Sequence, residues 1–335
     1  MSANKISSSR PPRRRLLQTL AAAALAGVFA APLAAGAAYP DKPLRLIVPF
    51  APGGVADVVA RSLQNKLSEA LGQPVVVENR GGAGSVVGTA AAVRAAPDGY
   101  TALLTTTAVA VNPSLNPNAG YDVVKDLVPV INIASSPNIL VATPGLGATT
   151  LPQALEKARA GGLNFSSPGV GTTPYLSSEY LFKSLAKVSV THVPYKGGGP
   201  ALAAGIAGEV QLVAIPLPPA APHVKAGKLV PLAVTSRERL KAWPNVPTVA
   251  ESGFPGFEDS TWVGVFFPAG TPAEAVNKLN GEIARLLAQP EVRQQLVDLG
   301  FEPVGGSQAS FASYVAEEAV KWAKVVKETG ATAAE

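Results

Sequence analysis

Residues 44–54 read LRLIVPFAPGG, and residues 74–84 read PVVVENRGGAG. Each stretch is a short apolar strand pattern that runs directly into a glycine-rich loop, and a helical pattern follows each loop. Two consecutive strand–loop–helix units of this kind predict an α/β architecture with a parallel sheet. Because the carboxyl ends of parallel strands meet at one edge of the sheet, we expect both loops at the same edge.

These two loops are suited to anions because each one opens a helix. The first four N–H groups of a helix have no intrahelical partner, and the helix dipole is positive at that end. Glycine also lets a ligand approach the backbone closely, since no side chain stands in the way. The pattern therefore predicts an anion site built from main-chain amides.

The N-terminal segment, residues 1–38, has the pattern of an export signal that is absent from the mature fold. Basic residues come first, an apolar stretch spans residues 16–33, and small residues at 36–38 suit a signal peptidase. The sequence RRRLL at residues 13–17 also fits the twin-arginine form of such a signal. An uncleaved membrane anchor is the alternative, but the small-residue cleavage pattern favours a signal peptide.

Charge and composition exclude several classes of partner. The chain has 28 basic and 23 acidic residues, and five basic residues but no acidic residue lie before position 39, so the mature chain is near neutral. A neutral chain lacks the basic stripe that nucleic-acid binding needs, and it has no basic amphipathic segment for a membrane surface. The absence of cysteine excludes disulfides, thiolate nucleophiles and cysteine metal sites. We expect no nucleic-acid partner, cofactor or metal, and a monomer.

The sequence does not contain the common catalytic motifs in complete form. His192 and His223 are the two histidines, and neither a Gly-x-Ser-x-Gly elbow nor a His-Glu-x-x-His pair occurs. Residues 184–187 match Ser-x-x-Lys without the motifs that accompany it in enzymes. The loop at 82–84 resembles a dinucleotide loop, but Val87 stands where the third glycine belongs. No catalytic residue is therefore assigned, and the chain is not expected to be an enzyme.

The rest of the mature chain alternates between strand and helix patterns. We predict a helix over 55–71 that ends at Gly72, and two separate short strands at 128–133 and 139–142. The alternation predicts two α/β lobes with a ligand cleft between them. One lobe comprises residues 39–142 plus 236–335, and residues 143–235 form the other.

A series of motifs across nearly the whole mature chain resembles the TctC-like or Bug solute-binding proteins of tripartite tricarboxylate transporters. They are YPDKP at 39–43, FAPGG at 50–54, LGQPVVVENR at 71–80, PDGY at 97–100, GVGT at 169–172, VPYKG at 193–197, PHVKAGK at 222–228 and PTVAE at 247–251. The resemblance implies a two-lobed periplasmic binding protein, each lobe a mainly parallel sheet flanked by helices. It implies delivery of a small mono-, di- or tricarboxylate to a membrane permease.

The resemblance also implies which residues contact the ligand. The implied ligand-binding residues are Pro52, Gly53, Gly54, Gly82, Ala83 and Gly84 in the first lobe, and Ser166, Ser167, Thr172 and Pro216 in the second. The chain departs from the family pattern at Ile215 and Pro216, which replace an aromatic–aspartate pair, and at Tyr175, which replaces a histidine. The first departure argues against a ligand whose amine needs that acid.

Two other functions stay open from the residues alone. The chain could be an exported hydrolase or lyase with an unrecognised site, which turnover of a candidate ligand by the pure protein would reveal. It could also be a receptor whose closure is sensed by a signalling partner, and neighbouring transporter genes would argue against this. Asp57 could contact the ligand, but an acid in the first turn of a helix more often interacts with the helix dipole. Arg80 could steer anions or, at least as readily, be solvated or brace its loop.

Overall fold

The computed structural model describes residues 39–116 and 118–333, together with Met1. The first elements of the fold are strand β1 (Leu44–Val48), helix α1 (Val55–Leu71), strand β2 (Val75–Asn79), a short 3-10 turn (Ala83–Ser85), helix α2 (Val86–Val93) and strand β3 (Thr101–Thr106). Strand β1 pairs in parallel with both β2 and β3. The loops after β1 and β2 therefore lie at the same edge of the sheet, as predicted.

Helix α1 has the bounds that the sequence predicts. Val55, Val59, Leu63 and Leu67 recur at helical spacing, and all four are buried. Gly72 ends the helix with a φ of 67°, a left-handed conformation that favours glycine.

The remaining elements alternate between helix and strand. They are α3 (Ala108–Leu115), β4 (Leu127–Ala142), α4 (Leu151–Arg159), β5 (Asn164–Ser167), α5 (Thr173–Glu179), a π-helical turn (Tyr180–Leu185), β6 (Thr191–Pro194), α6 (Gly198–Ala207), β7 (Leu212–Pro216), α7 (Leu217–Lys225), β8 (Val230–Val234), β9 (Ser260–Pro268), α8 (Ala273–Ala288), α9 (Pro290–Asp298), β10 (Glu302–Gly305) and α10 (Gln308–Thr329).

Strand β4 is one continuous strand of 16 residues, so the prediction of two short strands at 128–133 and 139–142 is wrong. Its first part pairs with β9 up to Pro137, and from Asn138 onward it pairs with β7 and β8. Pro137 does not break the strand because it lies where β4 changes partners, and there its missing N–H costs little.

The sheet is mixed. Its strand order is β2-β1-β3-β9-β4-β7-β5-β6, with β8 and β10 also paired to β4. Both ends of this order are parallel, as the alternation of strands and helices predicts. The centre is antiparallel because β4 and β9 run against their neighbours, and this part of the sheet differs from the mainly parallel expectation.

Apolar packing covers both faces of the sheet. The largest fully buried side chains include five aromatics, which are Phe165, Phe182, Trp262, Phe266 and Phe267. The indole of Trp262 donates to the Glu318 carboxylate at 3.1 Å, so this residue is part of the core. No helix within residues 39–116 and 118–333 is long and apolar enough to cross a membrane. The predicted export signal falls outside the described residues.

Candidate functional site

The loop after β1 presents main-chain donors at the start of α1. Gly54, Val55 and Ala56 have amide hydrogens without a hydrogen-bond acceptor among the described residues. The amide of Gly53 differs, because it donates to the Asp57 carboxylate at 3.0 Å. Three amides at the positive end of a 17-residue helix therefore remain available to an anion.

Asp57 braces this loop. Its carboxylate accepts hydrogen bonds from the Gly53 amide, from the Asn79 side chain at 2.9 Å and from Arg61 at 3.0 Å. Burial alone would raise the pKa of Asp57, but hydrogen bonds from Arg61, Gly53 and Asn79 outweigh it and lower the pKa below its ordinary value. Of the two explanations left open for Asp57, these contacts favour the structural one.

Replacing Asp57 with alanine should loosen the loop without removing a lining side chain. We expect Asp57→Ala to lower the free energy of unfolding by about 1–2 kcal/mol, because the Gly53 amide and the Asn79 side chain lose their acceptor. Urea denaturation measures this change. Arg61→Ala is the control: its guanidinium is half-exposed, so the loss of this ion pair should cost less than about 1 kcal/mol. Equal losses in the two variants would contradict the bracing role.

The loop after β2 has an unusual backbone. Ala83, Gly84 and Ser85 have consecutive positive φ angles of 46°, 58° and 92°. The side chain of Asn112 holds this shape by donating to the Gly84 carbonyl at 2.7 Å and to the Ser85 hydroxyl at 3.3 Å. The amides of residues 82–84 have no acceptor among the described residues. This loop therefore also presents main-chain donors.

Loops from the segment 143–235 lie directly against these two loops. The Ala51 amide donates to the Lys196 carbonyl at 2.8 Å. A Cβ atom added to Gly54 would lie 3.2 Å from the Gly198 nitrogen, and one added to Gly84 would lie 1.7 Å from the Val170 carbonyl oxygen. Backbone meets backbone at these points, so glycine is required at Gly84 by contact as well as by conformation.

A cavity of about 20 Å³ lies between the two groups of loops. It is lined by Phe50, Gly54, Val55, Ala56, Thr106, Pro168, Thr172, Thr173, Pro174, Gly198, Pro216 and Thr261. No lining residue is charged, so an anion in this cavity would meet only main-chain amides and uncharged side chains. The volume is about that of one or two water molecules.

The structure brings together some of the predicted site residues and separates others. Gly54, Thr172 and Pro216 line the cavity, whereas Gly53 lines a surface groove next to it. Pro52 packs with its carbonyl against Gly199. The Gly82–Ala83–Gly84 loop lies beside the cavity, in contact with Gly169 and Val170, and does not line it. Assignment of all these residues to a ligand stays a prediction.

Ser166 and Ser167 are fully buried, and both hydroxyl groups have partners inside the protein. Ser166 donates to the Ala201 carbonyl at 3.0 Å, and the Ser167 hydroxyl lies 2.7 Å from the His192 Nε2 atom. Both serines belong to β5. These contacts make them supports for the second group of loops in the described structure.

Because of His192, the stability of the protein should depend on pH. Its ring lies between Phe165 and Tyr175, and burial, assisted by the charge of Lys183, lowers the pKa of His192 to about 4. Unfolded histidine titrates near 6.5, so between pH 6.5 and 4 the unfolded chain binds a proton that the folded chain does not. The contribution of neutral His192 to the free energy of unfolding is complete above pH 6.5. It is lost as the pH falls towards 4, by up to about 1.4 kcal/mol per pH unit.

We expect His192→Gln to flatten this dependence. Urea denaturation at pH 7 and pH 4.5 should show a smaller loss of unfolding free energy in His192→Gln than in the unaltered protein. His223→Gln, which changes the other histidine of the sequence, should leave the difference between the two pH values as it is. A pH dependence that is the same in all three proteins would contradict the role of His192.

Several lining residues were missed by the sequence analysis. They are Phe50, Thr106, Thr173, Gly198 and Thr261. Thr106 ends β3 next to β1, so its place at the end of a parallel strand is a signal that could have found it. Gly198 belongs to a Gly197–Gly199 loop of the same kind as the two that were selected. Thr261 has no comparable signal, because the start of an antiparallel strand carries no such rule.

Metal-binding groups are absent from the part of the chain that the structure describes, where no three His, Cys, Asp or Glu residues cluster. The chemistry available at the cavity is therefore hydrogen bonding from amides and hydroxyl groups. Such a site can hold an anion, and it offers no nucleophile–base pair to attack one.

Comparisons with known proteins show the family and the fold. The family model described as "Tripartite tricarboxylate transporter family receptor" matches residues 59–331. The solved structure of the periplasmic binding protein BugD is 32% identical, covers 88% of this chain and 99% of its own, and superposes with a TM-score of 0.84. Its fold is the two-lobed α/β fold that the sequence predicts.

Two further solved structures come from Rhodopseudomonas palustris and contain bound acids. Rpa4515 with adipate is 36% identical, with a TM-score of 0.84 and coverage of 88% of this chain and 99% of its own. MatC with bound malate is 34% identical, with a TM-score of 0.81 and coverage of 86% and 100%. Both similarities extend over nearly the whole described chain.

Proposed function

The chain belongs to the tripartite tricarboxylate transporter receptor family, whose members are periplasmic solute-binding proteins and not enzymes, and from this premise we propose that it captures a small organic carboxylate and delivers it to a membrane permease. The signal pattern at residues 1–38 supports export to the periplasm before capture. The acids bound by Rpa4515 and MatC support small carboxylates as the ligand class.

The observation that carries this proposal is the set of unpaired amides at an uncharged cavity. Gly54, Val55 and Ala56 offer donors there without an acceptor among the described residues. A hydrogen bond to a charged group contributes about 1.5–3 kcal/mol, and a micromolar affinity needs about 8 kcal/mol. A few such bonds suffice without an arginine.

We assign residues 39–142 plus 236–335 to one lobe and residues 143–235 to the other. The change of partners in β4 at Pro137 and Asn138 supports a boundary between the lobes near residue 143, where the chain first passes from one to the other. The cavity holds about 20 Å³, which is too small for a dicarboxylate, so the walls must separate to admit one. Contact between the loops of both lobes then corresponds to a closed form, and hinge motion gives access.

Ligand release and titration test this proposal. Protein exported to the periplasm and purified without added acids is denatured, and the released small molecules are identified by mass spectrometry. Isothermal titration of protein refolded after this step is then run with acetate, butanoate, succinate, malate, adipate and citrate. A carboxylate in the released fraction, or micromolar binding of one of these acids, supports the proposal. No carboxylate in either experiment would contradict it.

A further inference from the structure

A buried network of hydrogen bonds runs from the cavity wall to the place where β4 changes partners. Asn138 lies at this place and is held by Thr235: its amide donates to the Thr235 hydroxyl at 2.8 Å, and its carbonyl accepts from the Thr235 amide at 2.9 Å. The side chain of Asn138 is buried and joins Asp259 on one side to Thr261 on the other.

The Asp259 carboxylate fixes the orientation of the side-chain amide of Asn138. An ionised carboxylate can only accept hydrogen bonds, so the Asn138 Nδ2 atom, not Oδ1, must face it. The distance from Asn138 Nδ2 to Asp259 Oδ2 is 2.6 Å, and the Ser177 hydroxyl donates to the same oxygen. The Asn138 Oδ1 atom is thereby turned towards Thr261.

With the Asn138 side chain in this orientation, the hydroxyl hydrogens of Thr261 and Thr173 are each donated to a partner inside the protein. Thr261 has one hydroxyl hydrogen and donates it to Asn138 Oδ1 at 2.8 Å. The Thr173 hydroxyl, which is hydrogen-bonded to the Thr261 hydroxyl, must then be the donor of that pair. Thr172 donates its own hydrogen to the Gly169 carbonyl at 2.7 Å. All three residues line the cavity, and they can offer it lone pairs but no hydrogens.

The cavity is consequently polarised. The start of α1 supplies donors, namely the amides of Gly54, Val55 and Ala56. The wall formed by Thr172, Thr173 and Thr261 supplies acceptors. A carboxylate fits the first side, and a group that donates a hydrogen bond fits the second. Because no charged residue lines the cavity, an ammonium group would be buried without a counter-charge, whereas a hydroxyl group would not.

We propose that Asp259 is a specificity-determining positioning residue, which acts through Asn138 to make the threonine wall an acceptor and so selects hydroxycarboxylates over the corresponding unsubstituted acids. This inference rests on the proposed function, since it concerns the same cavity. It goes beyond that function in naming both the ligand class and a residue that does not itself line the cavity.

The protonation state of the Asp259 carboxyl group should change near neutral pH. Burial raises the pKa of Asp259 to about 6, against the opposing effects of Ser177, Asn138 and Lys321. The titratable groups around it are Lys321 and Tyr314 on α10, Tyr180 in the turn after α5, and its neighbour Glu258. A protonated Asp259 can donate to Asn138 Oδ1, which lets the amide turn its Nδ2 atom to Thr261. Thr261 then has a hydroxyl hydrogen for the cavity, and the preference for a hydroxyl on the ligand is lost.

Matched pairs of acids test this inference by isothermal titration of the exported protein. The pairs are succinate with malate and butanoate with 3-hydroxybutanoate, each at pH 7.5 and pH 5. We expect the hydroxy acid to bind about tenfold more tightly at pH 7.5, the value of one hydrogen bond, and the ratio to approach one at pH 5. In Asp259→Asn, whose amide does not fix Asn138, the ratio should be near one at both pH values.

Ser177→Ala is the matched control, because it removes the other hydrogen bond to Asp259 Oδ2 and leaves the Asn138 contact in place. It should retain the preference at pH 7.5, which separates orientation of Asn138 from general loosening of the region. The loss of preference should move to a higher pH, because Ser177 no longer lowers the pKa of Asp259. Equal affinities within each pair at pH 7.5, or a preference that survives in Asp259→Asn, would overturn the inference alone. Failure of every acid to bind the unaltered protein would instead overturn the proposed function, and the inference with it.

Discussion

Gly84→Ala is expected to weaken carboxylate binding by about 100-fold, which corresponds to roughly 2.8 kcal/mol. The added Cβ atom would lie 1.7 Å from the Val170 carbonyl oxygen, so the loop after β2 could no longer approach residues 169–171 as closely as it does in the structure. The positive φ of 58° adds a smaller cost, of about 1–2 kcal/mol for a residue with a side chain. Isothermal titration gives the affinity, and small-angle X-ray scattering with saturating ligand should show a larger radius of gyration.

Gly72→Ala separates the contact from the backbone strain. Gly72 also has a left-handed conformation, with a φ of 67°, but no atom lies within 4 Å of the position of its Cβ. The substitution should lower the stability of the protein by about 1 kcal/mol and leave both affinity and radius of gyration unchanged. Similar losses of affinity in the two variants would show that strain, and not obstruction of closure, explains the effect at Gly84.

Asn112→Ala is expected to lower the free energy of unfolding by about 3 kcal/mol and to weaken carboxylate binding by about tenfold. The Asn112 side chain is buried, and its Nδ2 atom donates to the Gly84 carbonyl at 2.7 Å and to the Ala108 carbonyl at 2.8 Å. Removal of this donor leaves a buried acceptor unpaired and opens a small cavity, and both effects destabilise the fold. The loop of positive φ angles at 83–85 then loses its anchor. Urea denaturation and titration measure the two effects.

Asn116→Ala, at the residue that caps the C-terminus of the same helix, is the control. The Asn116 side chain accepts a hydrogen bond from the Asn118 amide at an exposed position, so its loss should cost less than about 1 kcal/mol and leave the affinity unchanged. An Asn112→Ala variant that binds as tightly as the Asn116→Ala variant would show that the loop after β2 keeps its shape without Asn112.

Local signals in the sequence predict much of the fold. Helix α1 is recovered with its bounds because apolar spacing and Gly72 both act within the helix itself. Helix α3 was missed because it contains Pro113 and its apolar residues follow no amphipathic period. Strand β4 was predicted as two strands separated by residues 134–138 because the sequence does not reveal that one strand changes partners at Pro137 and Asn138.

In the candidate site, too, the sequence predicts the features that have a local signal and not those that depend on distant partners. The glycine loops after β1 and β2 are visible in the sequence because glycine marks them and because parallel strands bring their ends together. Asn112 and Asn138 were not foreseen, since their partners lie 28 and 121 residues away in the chain. An asparagine in an apolar segment has no sequence signature for such a role, and only the fold supplies the partner.

Strand β4 also determines how the described protein loses its structure. It pairs with β9 and β10 in one part of the sheet and with β7 and β8 in the other. If either part melts, β4 loses half of its ladder, and the remaining part is left with an unpaired edge. We therefore expect denaturation of the two parts to be coupled into one cooperative transition, with equal calorimetric and van't Hoff enthalpies.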